Sequence, residues 1–132
     1  MKQVDVLMVV DTEGALASND LTSNIYLIDN NKYVGSGNEG QAELKTACQD
    51  GQIINWRVAA VNPGNDVEIT GFSGQMISGN FLTPVKQGLP GEEYWEGRIE
   101  VQGKAQTVQY NATVSIDGKA MTFDPYLVVS TE

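Results

Sequence analysis

The chain has 132 residues, 17 of them acidic and 8 basic, for a formal net charge of −9. That balance argues against a nucleic-acid partner and against anionic membrane surfaces, since both draw their affinity from Lys and Arg. An apolar content of 41% is too high for disorder, and the length suits one domain, residues 1–132, with a core that needs no staples.

Period-2 apolar segments recur along the chain, separated by clusters of Gly, Asn and Asp; no long segment holds a helical period. Val4 to Val10 is apolar on both faces apart from Asp5, which predicts a central strand covered on both sides. Asp11 to Asn24 is polar and small and predicts a long loop with room for one helical turn. Asn24 to Asp29 and Lys32 to Ser36 read as strands around an Asn30-Asn31 turn, where Asn tolerates positive φ. Gly35 to Gly40 reads as a flexible loop, Ala42 to Ala47 as a short strand, and Ile53 to Val61 as a strand entered through Asp50-Gly51. The turn Asn62-Pro63-Gly64-Asn65-Asp66 leads into a strand over Val67 to Phe72. Gln75 to Leu82 predicts a weaker strand, Thr83 to Glu93 a loop, and Tyr94 to Gln102 a strand.

The last hairpin is the best-determined piece. Val108, Tyr110, Ala112, Val114 and Ile116 alternate with polar residues, and Asp117-Gly118 is a favoured two-residue turn. Pairing across it sets Val114 opposite Met121 and Ala112 opposite Phe123, with both side chains of the first pair buried. A one-residue slip would break the shared apolar face. Asp124-Pro125 then predicts a bend, because proline fixes φ and lacks an N–H, with the Asp124 carboxylate accepting hydrogen bonds. These signals add up to an all-β chain: an antiparallel β-sandwich, jelly-roll-like, of about eight to ten strands.

The chemistry on offer is narrow. There is no histidine, which removes the commonest general base, nucleophile activator and metal ligand. Cys48, the single cysteine, has no base near it in sequence. It excludes an internal disulfide and fits a reducing compartment. The leading apolar run is interrupted by Asp5 and stops at Asp11, short of an export signal, and no run approaches membrane-spanning length. The expected location is cytoplasmic. Gly35-Ser36-Gly37-Asn38-Glu39-Gly40 has the form of a phosphate-cradling loop, yet it sits between strands with no helix after it, so the match carries nothing.

Loop carboxylates leave calcium as a candidate cofactor, with Asp11, Glu13, Asp20 and Asp29 as candidate ligands in no EF-hand spacing. Trp56 shares a face with Ile54 and Val58 and is expected in the core. Tyr94 and Trp95 point to opposite faces when extended, so one of them is a candidate contact for a sugar or a partner.

Taken together, the ends carry a resemblance. Asp5-Val6-Leu7-Met8-Val9-Val10-Asp11-Thr12 resembles the opening of the AidA/PixA inclusion-body protein family of bacteria, and Ile54-Asn55-Trp56-Arg57 resembles its internal Trp-Arg strand. Tyr94-Trp95, Tyr110, the Asp117-Gly118 turn and Phe123-Asp124-Pro125-Tyr126-Leu127 follow in the family's order. The chain departs from that family in its compact Thr83 to Glu93 segment and in having only four methionines. The resemblance implies a cytoplasmic protein linked to quorum or phase control and host association, in a family that includes crystalline-inclusion formers. It assigns no catalytic residue.

The expectation is therefore a non-enzymatic protein that associates with itself, using the doubly apolar runs Val6 to Val10 and Tyr126 to Val129. The alternative is a carbohydrate- or calcium-binding module on the same sandwich.

Overall fold

The computed structural model describes residues 2–131. Among the described residues, eleven strands form two layers. The first layer is one five-stranded sheet in the order β2-β1-β4-β7-β6. It consists of β1 (Val4–Val10), β2 (Ile25–Asp29), β4 (Ile53–Ala60), β6 (Val85–Gln87) and β7 (Tyr94–Arg98). The second layer holds β3 (Lys45–Gln49), β5 (Val67–Ser73), β8 (Gln106–Gln109), β9 (Asn111–Ile116), β10 (Lys119–Phe123) and β11 (Tyr126–Ser130).

The second layer is organised by one long hairpin. At its tip Asp117 and Gly118 both take positive φ, as a twisted two-residue turn requires. Met121 lies opposite Val114 and Phe123 opposite Ala112, the expected register. The same register continues into Tyr126 opposite Gln109. β8–β9 and β10–β11 are thus two arms of one hairpin, interrupted where Pro125 offers no N–H. There Tyr110 N still donates to Pro125 O at 3.1 Å. β5 adds to β9 beyond a bulge at Ile69/Gly71, and β3 adds to β11. Val114 is fully buried, whereas Met121 is only half-buried, because β10 is an edge strand.

Several elements differ from the sequence expectation. The sandwich is all-β, but its sheets are mixed: β1 pairs parallel with β4, and β3 pairs parallel with β11. Asp11 caps a seven-residue helix, α1 (Thr12–Ser18), by accepting Gly14 N at 3.1 Å on its carboxylate. The strand expected over Lys32 to Ser36 is a 3₁₀ turn, Lys32–Val34, because Asn31 N turns back onto Asp29 Oδ1 at 2.8 Å. The strand expected over Gln75 to Leu82 is a short helix, α2 (Gln75–Ser78), entered through Gly74 at φ 90°. β6 forms inside the expected loop after Pro84, and β7 ends at Arg98, four residues early.

The core lies between the layers. Val4, Val6, Met8 and Val10 of β1 and Leu27 of β2 face Val108, Ala112, Val114, Leu127 and Val129 of the hairpin, all essentially inaccessible. Trp56 sits at the centre of an aromatic cluster. Its ring lies 4.9 Å from Phe72 and 5.7 Å from Tyr110, and Phe72 in turn lies 5.5 Å from Trp95. Edge and tilted contacts of this kind add to burial alone.

Candidate functional site

Side chains alternate along a strand, so burying Val4, Val6, Met8 and Val10 sends Asp5, Leu7 and Val9 to the outer face of the five-stranded sheet. Register then fixes their neighbours. Leu7 lies beside Ile28 and Val9 beside Tyr26 on β2. On the other flank Leu7 lies beside Arg57 and Val9 beside Ala59 on β4. Val61 continues the line past β4, its N–H donating to Val10 O at 2.8 Å. Tyr26 is 48% exposed, Ile28 43% and Val61 55%. The expectation that β1 is covered on both faces is therefore corrected: among the described residues, one face is covered and the other is only partly covered.

The patch of Leu7, Val9, Tyr26, Ile28, Ala59 and Val61 contains no charge. Its polar border begins at Asp5, whose carboxylate stands 3.7 Å from Arg57 Nη1. Both side chains are about half exposed, so the pair adds little stability. Arg57 also lies over the Tyr94 ring, 4.8 Å from its centroid. Asn55, beside them, donates to Gln3 Oε1 at 2.8 Å and to Asp5 Oδ1 at 3.3 Å. The closing run shows the same one-sided burial as β1: Leu127 and Val129 are buried and Val128 is exposed, while Lys45 covers the Tyr126 ring at 5.9 Å.

Tyr94 and Trp95 do point to opposite faces. Trp95 joins the core cluster and donates Nε1–H to Ile69 O at 3.2 Å. Tyr94 stays on the outer face under Arg57, bordering a groove of about 590 Å³ with Leu89, Glu92 and Glu93. Trp56 is fully buried, as expected.

The four candidate calcium ligands fall at three places in the fold. Asp11 caps α1, and Glu13 is exposed on it. Asp20 accepts Ser23 Oγ at 2.7 Å and Ser23 N, bonds that hold its carboxyl below the usual range. Asp29 meets Glu39, a residue the sequence left in a loop. Among the described residues, no three acidic or cysteine side chains converge as metal ligands would.

Asp117 has a structural role beyond its turn. It accepts Asp66 N at 2.9 Å and Asn65 Nδ2 at 2.7 Å, which lowers its pKa. Asp124 sits at the expected bend but is exposed, and no hydrogen bond to its carboxylate occurs among the described residues. Cys48 is buried beside Asp29, and burial first, then that charge, pushes its thiol up to about 12. A thiol held protonated in this way is a poor nucleophile.

The family model described as a domain of unknown function (DUF8788) matches residues 2–122, and the chain belongs to that family. No curated protein matches the sequence. Among solved structures the chain is similar to an inclusion body protein, PixA, from Burkholderia cenocepacia J2315, with a TM-score of 0.71 over 99% of this chain and 95% of that one. Sequence identity is 11%, so the likeness is one of fold. The resemblance carried by the two ends and the Trp-Arg strand is met at that level. In the described residues no helix is long and apolar enough to cross a membrane.

Proposed function

We propose that this chain is a non-enzymatic, self-associating protein of the bacterial cytoplasm whose working surface is the open face of the five-stranded sheet. The observation that carries the reading is the uncharged patch of Leu7, Val9, Tyr26, Ile28, Ala59 and Val61. A contiguous apolar patch with a polar border is the usual mark of an interaction surface. A second copy suits it. Two chains of charge −9 repel, so an uncharged patch is a favourable place for them to touch. At the border, Asp5 and Arg57 carry opposite signs side by side, and a two-fold axis passing near them would set each opposite the other's counterpart.

The fold likeness to a protein described as an inclusion body protein supports the same reading. The absence of histidine and the protonated, buried Cys48 thiol support a non-catalytic role. Regulation by quorum or phase, in a host-associated setting, belongs to the proposal through the AidA/PixA resemblance.

A second reading has one observation behind it. The groove beside Tyr94 offers an aromatic ring, a guanidinium and two carboxylates, groups that suit a sugar. Arg57 already occupies the ring face, so a sugar must displace it.

Light scattering separates these readings. The double variant Tyr26→Asp/Ile28→Asp should reduce the assembly to single chains. Tyr33→Asp/Val34→Asp makes the same charge change at exposed residues outside the patch and should not. Equal behaviour of the two variants would contradict the assignment of the face.

A further inference from the structure

The glycine-containing segment 31–40 has a task in the fold that its sequence hides. It lies across one open side of the sandwich and is bonded to an edge strand of each layer. Towards β2, Gly40 N donates to Leu27 O at 2.6 Å and Asp29 N donates to Glu39 Oε1 at 2.9 Å. Towards β3, Gly37 and Lys45 exchange backbone bonds of 2.9 and 3.0 Å. Ala47 N donates to Ser36 Oγ at 2.9 Å, and Asn31 Nδ2 donates to Ala47 O at 2.7 Å. β2 and β3 end their sheets. The segment is therefore a strap over backbone groups that would otherwise template the addition of another strand.

At one point the strap is not closed. Glu39 spends Oε1 on Asp29 N, and Asp29 spends Oδ1 on Asn31 N. The other oxygen of each, Glu39 Oε2 and Asp29 Oδ2, is shut off from solvent and has no donor among the described residues. The bond from Asp29 N to Glu39 Oε1 holds the two residues together and sets their carboxyl groups side by side. An ionised carboxylate only accepts, so two of them leave both oxygens orphaned and repel each other. One proton turns one of these oxygens into a donor towards the other.

We propose that Glu39 and Asp29 share one proton across this seam, and that it fastens the strap over the edges of β2 and β3 in mild acid and releases it as the pH rises. The proton comes from solvent and no other bond changes.

Burial of Glu39, and then its contact with the Asp29 carboxylate, hold its pKa above the ordinary 4.5. The Asp29 N–H bond and Lys32 on the 3₁₀ turn pull the other way without reversing the shift. From β3, Cys48 faces the charge of Asp29, and so does Tyr110 from the corner of the hairpin. Both have raised pKa values and stay neutral through the acid and neutral range, so neither adds charge. The unfolded chain releases the Glu39 proton near 4.5, whereas the folded chain holds it to higher pH. The stabilisation is therefore complete below 4.5 and is lost as pH rises through the raised folded value.

Amide hydrogen exchange on the intact chain tests this, corrected for intrinsic rates and followed from about pH 4 to about pH 8. Protection of the Asp29, Gly37, Gly40 and Ala47 amides should fall together relative to Met8. The fall should be about tenfold for each unit by which the folded value of Glu39 is raised. Glu39→Gln keeps Oε1 for Asp29 N and offers Nε2–H to Asp29 Oδ2, so its strap should keep the protection seen in acid at every pH. Asp29→Asn, which offers Nδ2–H to Glu39 Oε2, should flatten the profile in the same way. Constant protection in the wild-type chain, or an undiminished pH dependence in both variants, would overturn the proposal.

Discussion

Trp56 donates its indole N–H to the hydroxyl of Tyr110 at 3.1 Å, and this bond ties the middle strand of one layer to the corner of the other. Both side chains are fully buried. An indole can only donate, and among the described residues this is its partner.

Tyr110→Phe removes the acceptor and leaves the Trp56 N–H buried and unpaired. We expect a loss of about 1–3 kcal/mol, the cost of an unsatisfied buried donor. Urea denaturation followed by tryptophan fluorescence measures it. A variant as stable as the wild type would mean that the N–H finds another acceptor.

The final hairpin supplies a graded test. Val114 is fully buried and Met121, directly opposite, is half-buried. Val114→Asp places a carboxylate in the core and should cost more than about 3 kcal/mol. Met121→Asp can turn its carboxylate towards water and should cost clearly less. Equal losses would contradict the edge position of β10.

What was legible in the sequence follows from how local each signal is. The turn at Asp117-Gly118 and the alternation from Val108 to Phe123 lie within one hairpin, so the register could be read before any tertiary contact was known. Trp56 announced itself by its apolar neighbours at spacing two. The parallel pairs join β1 to β4 and β3 to β11 across large stretches of chain, and no local pattern encodes them. The stretch from Gln75 to Leu82 reads as a weak strand in sequence, yet Gly74 at positive φ starts a helical turn there. The meeting of Asp29 with Glu39 depends on the path of the strap, and neither residue carries a signal for it alone. The outer patch was half legible. The double-sided apolar run Val6 to Val10 was visible, but the lack of a full cover among the described residues was not.

Alkaline pH should weaken the fold in a traceable way. Unfolded Cys48 ionises near 9.0, while burial keeps the folded thiol protonated to about 12. Its contribution is complete below 9.0 and is lost as pH rises towards 12. Tyr110, also raised by burial from 10.0, acts in the same direction. Denaturation midpoints measured from about pH 8 to about pH 11 should fall, and Cys48→Ala should reduce the slope. An unchanged slope would show that Cys48 is not held protonated.

The central claim is that the open face of the five-stranded sheet is covered by a second copy. Light scattering on the wild-type chain, from about 5 to about 200 µM at roughly 0.15 M salt, addresses it most directly. The account predicts a mass that climbs with concentration from 14.3 kDa to twice that value or beyond. Because the copies are both strongly acidic, added salt should strengthen the association. A mass fixed at 14.3 kDa across the whole range would contradict the account.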